Sequence, residues 1–308
     1  MRHLAVFAMF AGCSFSHGVS GGFDDAPNGG SDAPMIDAFV KLDSGVADMS
    51  TTDMMTTLDS DGDGVLDAVD NCPTIANTDQ RDHDGDLHGD ACDHCPHLAS
   101  TADPDGDFDG VGDACDPRPS MGGDSRALFE GFYDATSING WTNNGAGNWS
   151  VANGKLTQSS TTKDTQLVIP GNITRAAATV SATVIQLGSG TGFNTPHVSV
   201  SSGVGNNQSY WCSVVDEGVN NNKVYASTFY PVNQTNLPNT DWNGTFQAGS
   251  VVQETTTLSG SNNICQVVQG GTQAQVSAPI GNAGGQVQLG MRNLSASYDY
   301  IFIVSIGN

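Results

Sequence analysis

The chain has 308 residues and a formal net charge of −23, with 33 acidic and 10 basic side chains and seven cysteines. A negative field of this size repels phosphate backbones, so nucleic acid is disfavoured as a partner. The charge is unevenly distributed: residues 59–116 hold seventeen Asp and one Arg, a net −16, whereas residues 125–308 carry a net −2. The acidity therefore belongs to one segment and predicts little about the rest of the chain.

Residues 1–12 have the pattern of a signal peptide. Arg2 and His3 precede an apolar run from Leu4 to Ala11, which is too short to span a bilayer but suits an export signal. Phe10-Ala-Gly-Cys13 resembles the lipobox of bacterial lipoproteins, which implies that Cys13 is the lipidated N-terminus of the mature protein. Ser14, which follows it, is what such a resemblance associates with the outer membrane and cell surface. Cys13 is also the odd one of seven cysteines. The alternative is an ordinary secretory signal with Cys13 incidental.

Residues 13–58 are rich in Gly, Asp, Thr, Ser, Met and Pro and show no sustained periodicity. Such a composition buries too little apolar surface to offset the entropy of ordering the chain. We expect a flexible tether here. Residues 117–124 are predicted to be a second, shorter linker.

Residues 59–116 contain three windows of twelve residues with Asp at positions 1, 3, 5, 9 and 12. An EF-hand loop supplies calcium with oxygen ligands at these positions and with a backbone carbonyl at position 7. An acidic disordered linker is the alternative, but random acidity would not repeat five offsets three times. We therefore predict calcium as the cofactor and these ligands: Asp59, Asp61, Asp63, Val65, Asp67 and Asp70; Asp82, Asp84, Asp86, His88, Asp90 and Asp93; Asp105, Asp107, Asp109, Val111, Asp113 and Asp116.

Position 6 of such a loop takes glycine, because the chain turns sharply there. Gly64 and Gly110 meet this requirement, but the second loop has Leu87. The second loop is therefore predicted to bind calcium most weakly. No amphipathic pattern indicates flanking helices, so an EF-hand pair is not expected.

Asp70-Asn-Cys-Pro73, Asn77 with Gln80, and Gly112-Asp-Ala-Cys-Asp116 resemble the thrombospondin type 3 repeat. The resemblance implies a chain with little regular structure wrapped around calcium ions. It also implies two disulfides, one from Cys72 to Cys92 and one from Cys95 to Cys115. The rival interpretation is a zinc site made of Cys92 and Cys95 with a histidine, which would be His88, His94 or His97.

Residues 125–308 carry alternating apolar and polar runs separated by turn residues, which is typical of an all-β sandwich. Asn153-Gly154 predicts a type I′ hairpin turn. Cys212 and Cys265 remain as a disulfide between strands. The predicted strand segments are 166–169, 178–185, 198–200, 223–229, 265–268, 286–289 and 300–304. The fold class is thus mainly β, a C-terminal sandwich of jelly-roll type after a calcium-wrapped, disulfide-stapled repeat segment.

Five short motifs of this domain resemble the concanavalin-like lectins and glucanases: Gly140-Trp141, Gly147-x-Trp149, Asn153-Gly-Lys-Leu156, Gly290-Met-Arg292 and Asp299-Tyr300. That family includes sugar-binding domains, glycosidases and structural modules. Retaining glycosidases need two carboxyl groups about 5–5.5 Å apart, and inverting ones need a wider pair. Glu130, Glu217 and Glu254 are not spaced as the glucanases of this fold require, so no catalytic residue is predicted.

Aromatic rings on which sugars stack are the expected ligand-binding groups, and we select Trp141, Trp211 and Trp242. Trp242 follows a polar run and is expected outside the core. The leading hypothesis is a lipid-anchored, calcium-binding surface protein that presents a lectin-like sandwich to a glycan or another surface protein. The alternatives are a glycan-active hydrolase and a calcium-dependent self-assembling surface protein.

Overall fold

A computed structural model describes residues 58–145, 147–161, 165–173, 175–188, 194–202, 208–216, 222–229, 238–259, 261–279 and 285–307. The predicted signal peptide, Cys13 and the predicted tether up to residue 57 lie outside the described residues. Within those residues, no helix has the length and apolarity needed to cross a membrane.

Fifteen strands follow one another between residues 125 and 305, with one short 3₁₀ turn at Ala135–Ile138 capped by Asp134. The strands are β1 (Ser125–Glu130), β2 (Thr142–Gly145), β3 (Trp149–Ala152), β4 (Lys155–Gln158), β5 (Thr165–Val168), β6 (Ala176–Leu187), β7 (Thr195–Ser202), β8 (Gln208–Asp216), β9 (Asn222–Phe229), β10 (Asn239–Asp241), β11 (Val251–Ser259), β12 (Asn262–Gln269), β13 (Thr272–Pro279), β14 (Val287–Arg292) and β15 (Leu294–Ser305).

These strands form two antiparallel sheets. The eight-stranded sheet has the order β13-β12-β11-β6-β15-β4-β3, and β1 pairs with the C-terminal half of β15 beside β4. The seven-stranded sheet has the order β10-β9-β8-β7-β14-β5-β2. Sequence neighbours such as β5 and β6 lie in different sheets, so the chain crosses between the layers repeatedly. The predicted β-sandwich is confirmed.

The core lies between the two sheets and is built by period-two alternation. Along β6, Ala178, Val180, Ala182 and Val184 face inward and are buried, while the residues between them face outward. The disulfide from Cys212 to Cys265 joins β8 of one sheet to β12 of the other. It crosses the core as the predicted link between strands.

The predicted hairpin turn is confirmed, because Asn153 (φ 54°) and Gly154 (φ 69°) both have the positive φ of a type I′ turn. Strand β11 was not predicted from sequence. Its inward positions include Glu254 and Thr256, both fully buried, so the apolar alternation that marks a strand is interrupted.

The acidic repeats lie on the outer face of the eight-stranded sheet. No helix or strand is assigned between residues 58 and 124. Val111 of the third loop is fully buried against apolar side chains of β6, β15 and the residue that follows: Ala177, Tyr300, Phe302, Val304 and Ile306. One side of the sheet thus faces the sandwich core and the other supports the repeats.

Candidate metal centre

Each of the three acidic loops closes on its own first aspartate. The carboxylate at position 1 accepts hydrogen bonds from the backbone N–H groups at positions 4 and 6. The donors are Gly62 and Gly64 to Asp59 (2.8 and 3.1 Å), Gly85 and Leu87 to Asp82 (2.8 and 3.1 Å), and Phe108 and Gly110 to Asp105 (2.8 and 2.9 Å). The three loops therefore share one backbone conformation.

Positions 4 and 6 of every loop have positive φ, the region that favours glycine. Position 6 is Gly64 (φ 96°), Leu87 (φ 83°) and Gly110 (φ 89°), and position 4 is Gly62 (φ 79°), Gly85 (φ 79°) and Phe108 (φ 63°). The second and third loops thus each hold one bulky residue in a costly conformation. Phe108 was missed from sequence because only position 6 was expected to need glycine.

The carboxylates at positions 1, 3 and 5 converge in each loop, with one ligand oxygen from each aspartate within 4.8 Å of the others. We call these groups the 1-3-5 clusters; they are Asp59, Asp61 and Asp63; Asp82, Asp84 and Asp86; and Asp105, Asp107 and Asp109. Within the described part of the chain, no hydrogen-bond donor reaches Asp61 Oδ2, Asp84 Oδ2 or either Asp107 carboxylate oxygen, although all are buried. A buried anionic oxygen without a donor is costly, so this arrangement fits a bound cation.

A second group of carboxylates forms beside the third 1-3-5 cluster. Asp109 also lies within 4.8 Å of Asp116, at position 12, and of Asp124. Asp116 Oδ2 is again buried without a donor among the described residues, and so is Asp70 Oδ2 at position 12 of the first loop. Asp124 of this group is already paired with the Arg118 guanidinium, so the position-12 oxygens of Asp70 and Asp116 are the ones that lack a donor among the described residues and fit a cation.

Asp124 belongs to the segment predicted as a linker, and sequence reasoning did not include it among the ligands. Its backbone N–H donates to Asp109 Oδ2 at 2.8 Å. Equivalent hydrogen bonds run from the backbone N–H of Asn77 to Asp63 Oδ2 at 2.8 Å and from the backbone N–H of Ser100 to Asp86 Oδ2 at 2.6 Å. The sequence feature that could have identified Asp124 is its distance of fifteen residues from position 5 of its loop, since Asn77 and Ser100 follow position 5 of their loops by fourteen residues.

The position-9 aspartates, also predicted ligands, bind the start of their own loops. They accept hydrogen bonds from backbone N–H groups at position 2: Ser60 to Asp67 (2.8 Å), His83 to Asp90 (2.9 Å) and Gly106 to Asp113 (2.7 Å). None of them is a member of the carboxylate groups found among the described residues. At position 7, Val65, His88 and Val111 donate their N–H to position 5, and their carbonyl oxygens stay predicted ligands.

The acidic groups perturb one another in the absence of a cation. Burial and the neighbouring charge of Asp86 together raise the pKa of Asp84 to about 6. Burial likewise raises the pKa of Asp93 to about 7 and that of Asp116 to about 6. Desolvation opposes ionisation of a carboxyl group, and a bound cation would reverse that preference.

Two disulfides staple the repeats, from Cys72 to Cys92 and from Cys95 to Cys115, each with a sequence separation of 20. The predicted pairs are confirmed. The rival zinc interpretation is wrong, because Cys92 and Cys95 have no free thiolate to offer a metal. His94 instead lies 2.8 Å from Asp103 through Nδ1.

Polar contacts attach the second loop to the sandwich. Arg126 of β1 donates to the carbonyl oxygens of Asp90 (2.8 Å), Ala91 (3.0 Å) and Asp93 (2.9 Å). The Tyr133 hydroxyl donates to Asp90 Oδ2 at 2.5 Å. A planar guanidinium satisfies several carbonyls at once, which fixes the turn that carries positions 9 to 12.

Aromatic contacts extend this attachment. The His97 ring lies 4.7 Å from the Tyr300 ring and 4.8 Å from the Phe302 ring, and His83 makes an edge contact with Phe129 at 5.4 Å. Burial lowers the pKa of His97 to about 3. A neutral imidazole therefore packs here as an apolar ring.

The selected tryptophans do not form an open platform. Trp242 is 4% exposed and belongs to the core cluster, so its expected place outside the core is wrong. Trp211 is 6% exposed. Trp141 is half-buried and makes an edge contact with Phe132 at 6.0 Å. The structure brings no two of the three rings together in a described ring contact.

Comparison with solved structures finds similar folds at low identity. They include the carbohydrate-binding module CBM66 from Bacillus subtilis (13% identity, TM-score 0.41, covering 52% of this chain and 91% of that one) and the winged bean acidic lectin (10%, 0.46, 60% and 100%). The endo-β-1,3(4)-glucanase SCLam is a third (12%, 0.43, 59% and 91%).

No curated protein matches the chain by sequence. The family described as thrombospondin type 3 repeat matches residues 57–80 and 81–102. The match covers the first two acidic loops and the residues that follow each of them. These two loops have the same backbone hydrogen bonds at equivalent positions. Residues 57–102 are thus two thrombospondin type 3 repeats.

Proposed function

We propose that residues 59–124 bind calcium ions and that these ions hold the segment in its folded conformation. The observation that carries this proposal is the set of buried carboxylate oxygens at positions 3 and 12 with no donor within the described residues. Carboxylates this close together repel one another, and a divalent cation removes both the repulsion and the unsatisfied oxygens.

The donor chemistry favours calcium over other metals. Every candidate side-chain ligand is a carboxylate, and the cysteines are engaged in disulfides. Hard oxygen donors suit calcium or magnesium and disfavour zinc. Flexible loops that offer many oxygens suit the larger, more adaptable calcium shell, whereas magnesium keeps most of its water.

Bound calcium would give the segment its rigidity, since the loops lack a core of their own. The ions hold the ligand carboxylates together, the disulfides close each repeat, and Arg126 and the aromatic contacts attach the result to the sandwich. The segment then acts as a stiff, metal-dependent cover on one face of the domain.

Calcium titration calorimetry of the full oxidised chain tests the proposal. Asp84→Asn removes one charge from the second 1-3-5 cluster and should abolish or weaken binding of at least one ion. Asp79→Asn is the matched control, because Asp79 pairs with Arg81 and belongs to no cluster. An unchanged titration in Asp84→Asn, or no calcium uptake by the wild type, would contradict the proposal.

A second candidate function is carbohydrate binding by the sandwich. On the outer face of the seven-stranded sheet, the pairing register sets the exposed Asn239 opposite the half-buried Tyr225. An aromatic ring beside an amide group is the type of surface that holds a sugar. Glycan-array binding in calcium should be lost in Tyr225→Ala and kept in Thr255→Ala, which changes the opposite sheet. Equal binding by both variants would refute this.

We also propose export and lipid anchoring through Cys13 at the bacterial cell surface, where adhesion would be the role of the sandwich. The three disulfides support an oxidising compartment, and Cys13 is the remaining cysteine. Mass spectrometry of membrane-extracted protein should find an acylated peptide that begins at Cys13. A soluble mature chain that begins further along would rule the anchor out.

A further inference from the structure

The strand β13 is an unusually open edge of the eight-stranded sheet. It has eight residues, Thr272–Pro279, and none of them is charged. The edge strands β10, β2 and β3 have only three or four residues, and β1 carries Arg126 and Glu130. Natural proteins shorten, charge or cover their sheet edges to prevent pairing with another chain. In the described part of the chain, β13 has none of these protections beyond its terminal proline.

The hairpin geometry shows which backbone groups are open. Gln269 pairs with Thr272 around the two-residue turn Gly270-Gly271, and such a closing pair is hydrogen-bonded. Because bonded and non-bonded pairs alternate along an antiparallel ladder, the next bonded residues are Ala274, Val276 and Ala278. The N–H and C=O groups of Gln273, Gln275 and Ser277 therefore point away from β12, and no described residue hydrogen-bonds to them.

We propose that β13 pairs with β13 of a second copy of this chain, antiparallel about a two-fold axis through Gln275. In this register Gln275 faces its own symmetry mate and Gln273 faces Ser277, so the three open residues exchange about six backbone hydrogen bonds. Opposed residues point to the same side of the sheet. The half-buried Ala274 thus meets Val276 of the other copy on the core side.

Charge permits this self-association, and the uncharged side chains of β13 favour a second copy of this chain over a charged foreign peptide. The acidic repeats contact β15 and Ala177 of β6, and β6 is three strands from β13, or about 14 Å at the usual strand spacing. The two acidic segments of a dimer would therefore be about 28 Å or more apart. That distance is more than about three Debye lengths at physiological ionic strength, so repulsion between the segments is screened. The outward side chains on β13 are Gln and Ser, which offer no charge to select a charged partner.

Sedimentation velocity of the full chain in calcium tests the pairing. One strand pair is a small contact, so we expect a dimer with a dissociation constant in roughly the micromolar range. Gln275→Lys sets like charges opposite each other at the axis and should weaken the dimer several-fold. The same holds for Gln275→Glu. Gln266→Lys, a control on the same face of the neighbouring strand β12, should leave the dimer intact.

The decisive measurement mixes two variants. Gln275→Lys and Gln275→Glu, each largely monomeric alone, should form a heterodimer when combined, because the axis then joins opposite charges. Circular dichroism checks that each variant is folded. A wild-type monomer at concentrations up to about a hundred micromolar, a dimer insensitive to both substitutions, or failure of the mixture to recover association would each overturn the proposal.

Discussion

Replacing Leu87 by glycine should strengthen calcium binding. Leu87 holds a φ of 83° at position 6, where the other two loops have glycine. A side chain in the left-handed region costs about 1–2 kcal/mol relative to glycine. A Cβ at Gly64, the equivalent position of the first loop, would meet no atom within 4 Å, so the cost there is purely that of the backbone.

Two smaller free-energy contributions determine the net effect of Leu87→Gly on calcium binding. Leu87 is 78% exposed, so its removal forfeits little apolar burial. Glycine gives the unfolded chain more freedom, which opposes the gain by about 0.4–1 kcal/mol. A net gain of about 1 kcal/mol remains, equivalent to about fivefold in an equilibrium constant. Because metal binding and loop folding are coupled, this gain should appear in the apparent calcium affinity.

Titration calorimetry on the full oxidised chain is the assay, with thermal unfolding in calcium as a second readout. Leu87→Gly should raise the apparent affinity about fivefold, and Gly64→Leu should lower it by a similar factor. Leu87→Ala is the matched control: it removes the exposed side chain but keeps the Cβ, so it should give no gain. Equal gains in Leu87→Ala and Leu87→Gly would refute backbone strain as the cause. Phe108→Gly, at φ 63° and 90% exposed, should act similarly on the third loop.

Three further predictions concern the attachment of the acidic repeats to the sandwich and the disulfides within the repeats. Arg126→Lys loses the fork that serves three carbonyl oxygens and should destabilise the chain by about 2 kcal/mol in urea unfolding; an unchanged midpoint would contradict this. Because burial lowers the pKa of His97 to about 3, the unfolded state binds the proton more tightly, and stability falls as pH drops below about 6.5 towards 3. At pH 5 the loss from this group should be about 2 kcal/mol, and the pH dependence of urea unfolding should be weaker in His97→Phe. Replacing Cys95 and Cys115 by serine should cost about 3 kcal/mol in the chain-entropy description; retention of the full melting temperature would argue against that role.

The local features of this protein could be predicted from sequence because each is encoded by neighbouring residues. The aspartate spacing predicts the convergence of positions 1, 3 and 5, since alternate side chains of a tight loop point inward. The positive φ at Leu87 follows from the glycines at the same position of the other loops. Asn153-Gly154 specifies its turn through the φ values that these two residues accept. The pairing of Cys72 with Cys92 came from the resemblance to the repeat family.

Tertiary structure decided the features that depend on residues distant in sequence. Asp124 joins Asp109 and Asp116 only because residues 117–124 fold back onto the third loop, where the Asp124 backbone also donates to Asp109. In the sequence Arg126 is an isolated charge, whereas in the structure it donates hydrogen bonds to backbone carbonyl oxygens about thirty-five residues away. The polar run around Trp242 indicated a loop, but packing between the sheets buried the ring. The open edge at β13 likewise arises from the order of strands in the sheet. The alternation of apolar and polar residues along a strand does not encode that order, because it is compatible with more than one neighbouring strand.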